Sequence, residues 1–260
     1  MIDLRKIDMN FLRPLIYNDL IRVGSKGDGG YLLPKEVIKD IKYCLSFGIG
    51  YNHEFESHLH KKIKGLRVIG FDHTVGVKFF MRLAFNGLLK LLTLKGSLKE
   101  FSERNRRLLG FISFWVISGN HKHNRTKISK SNVEKIINSF ELETCLLKID
   151  IEGSEWEIWS KIDEDIQSMP CLIIEFHYVR KNLTQLKKII DKLKQTHNIA
   201  HLHINNFSPQ HNIGVPDFIE LTFVRKDYKS SGLKRKKLPI INLDRKTMPN
   251  LEDFSIVFEN

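Results

Sequence analysis

Short apolar runs rich in β-branched and aromatic residues recur along the chain at 43–47, 67–71, 111–117, 145–149, 171–176, 199–204 and 218–224. Runs of this length, separated by polar and glycine-containing segments, predict seven strands. Helical spacing fills most of the gaps, at 54–64, 132–140, 155–162 and 183–195; in the last of these Leu186, Ile189, Ile190 and Leu193 share one face. Alternating strands and helices predict an α/β, Rossmann-like fold, a mostly parallel seven-stranded sheet with helices on both faces. The final two runs have no full helix between them and are joined by the Pro- and Asn-rich segment 205–216, so the last strand is expected to be antiparallel. Residues 1–41 read as an N-terminal lead-in, 42–226 as the main domain with a helical insert at 75–109, and 227–260 as a tail.

Composition narrows the class. The chain has 260 residues, 42% hydrophobic, with 16 Gly and 7 Pro, which excludes disordered, collagen-like and disulfide-scaffold proteins. Cys44, Cys145 and Cys171 are odd in number and lie in apolar runs, so buried thiols in a reducing compartment are expected. Asp3, Arg5, Lys6 and Asp8 interrupt what would be the apolar core of a signal peptide. The longest uncharged stretch, 108–121, is shorter than the roughly 20 apolar residues that cross a bilayer. A cytoplasmic protein is the expectation, with peripheral contact at the inner membrane face as an extension of it.

Charge changes the picture by where it sits. Of the formal +12, residues 76–130 hold twelve basic side chains against Glu100 and Glu103, and 225–237 hold seven against Asp227, leaving the rest mildly acidic. From position 77 to 94 the polar residues Lys78, Arg82, Asn86 and Lys90 recur every four, one narrow stripe against a broad apolar surface. Such a helix suits a membrane interface or a lipid-linked acceptor; the plainer alternative is a helix packed on the sheet with its wet edge showing. Arg104, Arg106 and Arg107 suit a phosphate or an acidic sugar, or simply a solvated face.

In an open parallel sheet the ligand lies beyond the carboxyl ends of the strands. The first such turn reads Ser46-Phe47-Gly48-Ile49-Gly50, and the second strand ends in Asp72, 22 positions after Gly50. Glycines let a backbone approach a ligand, and a carboxylate at this place grips a ribose diol, so a nucleoside is expected. The third glycine of a dinucleotide fingerprint is replaced by His53, which disfavours NAD. Along Lys148-Ile149-Asp150-Ile151-Glu152-Gly153, alternation sets Lys148, Asp150 and Glu152 on one side and brings Asp150 out over the pocket. The fifth strand ends in Glu175 and His177 on one face, and the sixth in His203-Ile204-Asn205-Asn206.

Five parallel units closed by an antiparallel pair are the sheet of Rossmann-like class I methyltransferases. The blocks 148–156, 46–50 and 71–74, with Arg22-Val23-Gly24, Asp28-Gly29-Gly30-Tyr31, Glu175-Phe176-His177, 203–206 and 216–222, resemble FkbM-type S-adenosylmethionine-dependent methyltransferases, in the branch associated with bacterial glycan genes. The resemblance runs from about Arg22 to Arg225, and the stretch 75–109 departs from it in length and charge. It implies that Phe47, Gly48 and Gly50 line the cofactor S-adenosylmethionine, that Asp72 holds its ribose, that Asp150 lies near its methionine part or the acceptor, and that Arg22 and Asp28 fold over it. It implies O-methylation of a saccharide or glycan precursor, which the basic insert extends to a phosphorylated or lipid-linked one.

For that reaction His177 is the expected base, with His203 second. The alternative has Asp150, Glu175 and His177 hold a divalent metal that acidifies the hydroxyl. Nucleic acid is not expected as a specific partner. The charge suits it, but Asp150-Ile151-Glu152-Gly153 stands where base-modifying enzymes carry an Asn/Asp-Pro-Pro-aromatic motif. The competing classes are a nucleic-acid or other small-molecule methyltransferase and a noncatalytic membrane-binding module.

Overall fold

The computed structural model describes residues 2–3, 9–208 and 215–258; the rest of the lead-in, positions 209–214 of the loop between the last two sheet strands, and the final two residues lie outside it. A short strand β1 (Ile2–Asp3) precedes a lead-in hairpin of β2 (Leu20–Gly24) and β3 (Gly30–Pro34), paired antiparallel. The domain then runs β4 (Tyr43–Phe47), α1 (Glu54–Lys62), β5 (Arg67–Phe71), α2 (Val77–Leu92), α3 (Leu98–Ile112), β6 (Lys122–Asn124), α4 (Val133–Ile137) and β7 (Cys145–Ile149). It continues through α5 (Glu155–Ile158), β8 (Cys171–Phe176), α6 (Leu183–Thr196), β9 (His197–Ile204) and β10 (Ile219–Arg225), and the tail adds β11 (Lys237–Leu238) and β12 (Phe254–Val257).

The main sheet has the order β6-β5-β4-β7-β8-β10-β9. Its pairings are parallel from β6 to β8, and β10 runs antiparallel to both β8 and β9. This is the strand order of the class I methyltransferase fold, with the reversed strand inserted second from one edge. Near-continuous apolar strands follow from burial on both faces: β7 and β8 are buried at every position. One core layer packs Leu147, Ile149, Leu172 and Ile174 against Leu186, Ile189 and Ile190 of α6. The other packs Cys44, Val68, Leu146 and Ile173 with Phe55 and Leu59 of α1, Phe80 and Phe111 of the α2–α3 hairpin, and Val23, Tyr31 and Leu33 of the lead-in. All three cysteines are buried and unpaired.

One expected strand is not a strand. Residues 111–117 finish α3 and continue as a wide helical turn over Ser113–Ile117, and the third strand of the sheet is instead Lys122–Asn124. The run buries Phe111 and Trp115 while Val116 and Ile117 stay exposed, a spacing of four that suits a helix and not a pleat. A three-residue edge strand reading Lys-His-Asn carries no apolar signal to compete with it. Elsewhere β4, β5, β7 and β8 have the expected limits, while α4 and α5 are shorter than their periodic stretches.

The lead-in and the tail are built into the domain. Leu15 bridges to Lys234, the Tyr228 hydroxyl donates to Asp40 at 2.7 Å, and the Asn206 side chain holds the tail through Met248.

The carboxyl ends of β4, β5 and β7 are stitched together where β4 turns. Gly48 N–H donates to the Phe71 carbonyl and Asp150 N–H to the Phe47 carbonyl. Gly48 lies at φ +81°, and a Cβ there would come within 1.6 Å of the Asp150 carbonyl oxygen. Gly48→Ala is therefore expected to cost at least about 2 kcal/mol of stability, read as a lower urea midpoint at unchanged slope.

Candidate functional site

A cavity of about 780 Å³ opens over these strand ends, within the range of small-molecule and cofactor sites. Its floor is the turn Gly48-Ile49-Gly50 with Phe71 and Asp72; Lys148 comes from β7, Asp150, Ile151 and Glu152 follow that strand, and Ser25, Asp28 and Gly29 reach in from the lead-in hairpin. The α2–α3 hairpin supplies Phe79 and Arg107. A second cavity, about 670 Å³, runs along the open edge of the sheet from Tyr43 and Arg67 at the amino ends to Phe71, which lines both cavities.

Asp72 organises the floor. One carboxylate oxygen accepts from the N–H groups of Ile49 (3.0 Å) and Gly50 (2.9 Å), the other from the N–H and hydroxyl of Thr74 (2.7 and 2.6 Å). Burial alone would raise its pKa, but these donors together bring it down to about 2. A carboxylate has about four acceptor positions, and here the chain fills all of them. Of the four donors, the Thr74 hydroxyl is the one that can rotate away.

Lys148 lies beneath the wall. Its ammonium donates to the Gly48 carbonyl (2.7 Å) and to Asp150 Oδ2 (3.2 Å) and sits 5.8 Å from the centre of the Tyr31 ring. Burial works against its charge, but Asp150 and Glu56 outweigh that and hold its pKa above the usual value. Burial pushes Glu56 and Glu175 upward; Glu56 accepts from the Ser46 hydroxyl and Glu175 from the Asn205 amide.

His177 stands behind Asp150 and Glu152. Its Nδ1 faces Glu155 Oε1 at 3.2 Å, and its backbone N–H donates to the same oxygen at 2.6 Å. That leaves Nε2 turned toward Glu152 (3.5 Å), Glu175 (3.9 Å) and Asp150 (4.0 Å). Burial lowers its pKa, but the Glu155 hydrogen bond and the surrounding carboxylates more than reverse this, and the net shift is upward. Ligand atoms of Asp150, Glu175 and His177 all lie within 4.8 Å of one another, a set able to hold a metal ion, with the Lys148 ammonium contesting Asp150. The carboxylate of Glu155 on the far ring nitrogen is the support that a metal-binding or proton-accepting histidine needs.

The other expected site residues divide. Gly48, Gly50, Asp72, Asp150 and Asp28 line the cavity. Phe47 is fully buried beneath it, edge-on to Phe71 at 5.6 Å. Arg22 does not reach the wall; it donates to the carbonyls of Ser25 and Gly27 and so shapes the turn that presents Asp28. His203 faces the tail, paired with Glu220 at 3.2 Å; burial opposes its charge, but Glu220 raises its pKa to about 9.

Three features of the site leave no signal in residue spacing. Glu155 was legible only as the start of a helix, yet it orients His177 and caps the Gly153 N–H. Glu152 and Tyr178 both sit in the left-handed region, at φ 55° and 56°, and Gly153 at φ +101° makes room for the Tyr178 ring. Non-glycine residues held there concentrate at functional sites. Tyr178, Phe218 and Phe207 form an aromatic shelf beside His177: Phe218 is 5.4 Å from the imidazole and 5.9 Å from Tyr178, and stacks on Phe207 at 6.4 Å.

No family model matches the chain, and no curated protein does. Solved structures do. Fibrillarin from Aeropyrum pernix, in complex with natively bound S-adenosyl-L-methionine, is 13% identical with a TM-score of 0.39, over 72% of this chain and 68% of that one. Precorrin-6y C5,15-methyltransferase from Geobacter metallireducens is 9% identical with a TM-score of 0.38, over 74% and 86%. Spermidine synthase from Thermotoga maritima is 10% identical with a TM-score of 0.38, over 74% and 56%. The fold assignment rests on the strand order above.

Asp72 gives this site a pH signature. A carboxyl held near pKa 2 stabilises the fold at pH above its usual value of about 4 and loses that contribution as pH falls toward 2. Asp72→Asn should cost about 2 kcal/mol at pH 7, and denaturant titrations should show the gap to wild type narrowing below pH 4.

Proposed function

We propose that the protein is an S-adenosylmethionine-dependent O-methyltransferase acting on a hydroxyl of a saccharide or glycan precursor. The observation that carries the cofactor is the sign of the cavity. In a chain of net charge +12 its lining sets Asp28, Glu54, Asp72, Asp150 and Glu152 against Arg107, Lys127 and Lys148. Carboxylates in excess around a glycine turn suit a ligand carrying a sulfonium and an ammonium, and oppose the pyrophosphate of a dinucleotide. The residues fit the cofactor: a Cβ at Gly50 would meet nothing within 4 Å, so that side of the turn is open to it, Asp72 could exchange Thr74 for a ribose hydroxyl, and Asp150 and Glu152 would suit its charged end. When bound, S-adenosylmethionine supplies an electrophilic methyl group.

The chain's own part is to align the acceptor, exclude water and take a proton. His177 Nε2 accepts the proton of the acceptor hydroxyl, and Glu155 on Nδ1 stabilises the imidazolium that results. Phe207 lies parallel to Phe218, with Tyr178 edge-on beside them, and these rings offer apolar surface to the C–H face of a sugar ring, which supports the substrate class alongside the FkbM-type resemblance of the sequence blocks. A second reading, favoured by the spacing of Asp150, Glu175 and His177, has those residues hold a divalent cation that acidifies the same hydroxyl. Treatment with chelator followed by Mg²⁺ or Mn²⁺ titration separates the two, since only the second loses and regains turnover.

Isothermal titration with S-adenosylmethionine and, in parallel, NAD tests the cofactor. Micromolar binding of the first alone, lost in Asp72→Ala, is the expected result; preference for NAD would overturn the reading. With an acceptor found among glycans and nucleotide sugars, His177→Ala should lower turnover by about 10²- to 10⁴-fold at unchanged affinity for S-adenosylmethionine. Undiminished turnover would remove His177 from the mechanism.

A further inference from the structure

The α2–α3 hairpin is apolar on its outside as well as its inside. Helix α2 turns Phe80, Ala84 and Gly87 inward, while Met81, Phe85, Leu88, Leu89 and Leu92 are exposed, the last at 70%. Successive spacings of four, three, one and three keep those five side chains on one side of the helix. The stripe runs off the helix into the turn, where Leu94 and Leu98 are 93% and 72% exposed. Packing on the sheet thus accounts for half of the apolar surface and leaves the other half in water.

Exposed cations frame this stripe. Lys78, Arg82 and Lys90 follow it along one side of α2, and Lys95 and Lys99 sit at the tip. A second copy of the chain would bring like charge against like, because residues 76–130 carry twelve basic side chains and two acidic ones. An apolar stripe edged by lysine and arginine instead matches a bilayer surface, with leucine and phenylalanine among the upper acyl carbons and the cations at the phosphates.

We propose that the α2–α3 hairpin seats the protein on a membrane surface containing anionic phospholipid. Helix α2, sixteen residues and therefore about 24 Å long, lies in the plane of the interface. Phe79 and Arg107 of the same hairpin line the cavity, so the docked protein holds its cavity beside the headgroups. This proposal goes beyond the methyltransferase reading and does not depend on it.

Co-sedimentation of the full chain with vesicles of phosphatidylcholine alone, or mixed with phosphatidylglycerol, tests it. Wild type should bind the mixed vesicles at least about tenfold more tightly than the neutral ones, since each basic side chain near an anionic surface contributes about 1 kcal/mol. Phe85→Ser with Leu89→Ser and Leu92→Ser should weaken binding at least about tenfold at an unchanged melting temperature. Lys78→Gln with Arg82→Gln should weaken it by about tenfold in low salt and serves if the triple variant does not fold. Absence of vesicle binding, or binding untouched by either variant, would overturn the proposal. So would complete release by high salt, or a wild-type dimer in light scattering that the triple variant makes monomeric.

Discussion

Lys148 leaves an otherwise apolar central strand and sets its ammonium, only 4% exposed, between the Gly48 carbonyl, the Asp150 carboxylate and the face of Tyr31. A charge so far from water is tolerable only when its partners are fixed, and removing one member of a buried pair costs about 3–5 kcal/mol because the other is left uncompensated. The surrounding architecture answers to that requirement. The β4 turn bends so that its carbonyl meets the ammonium, the lead-in hairpin folds back to bring Tyr31 over it, and Glu56 and Glu175 are buried within its field. The same cation therefore couples the sheet, the first helix and the lead-in, and it sets the position of Asp150 at the cavity wall.

Two fields of opposite sign follow. The cavity is rich in carboxylates, while the hairpin forming one of its sides is strongly basic on its outer surface. The outer surface of the hairpin attracts anions, the cavity favours cations, and each field fades over about 10 Å at moderate salt.

Much of the fold was legible because parallel strands buried on both faces announce themselves as unbroken apolar runs, and β4, β5, β7 and β8 do so. The third strand was hidden because it is three polar residues long at an edge, while the neighbouring apolar run at 111–117 is a helix end. Gly48, Gly50, Asp72 and Asp150 announced themselves by residue type and place at strand ends. Arg22, placed over the cofactor by resemblance, turns back onto its own hairpin, and His203, placed by its strand end, turns toward the tail. Glu155 and the Tyr178 shelf were invisible because they act through backbone geometry and through contacts between segments, which spacing does not encode. The outward half of α2 illustrates the same limit, since a periodic pattern says that a face is apolar and not what covers it.

The cavity wall draws on residues from Ser25 to Ser154, and the hairpin that carries the first of them is anchored by Leu15 to Lys234 and by Asp40 to Tyr228. The lead-in side of the cavity is therefore held by contacts such as Tyr228–Asp40, 188 positions apart in the chain. Contacts of such wide separation slow folding, so this side of the cavity takes shape only once distant segments have met.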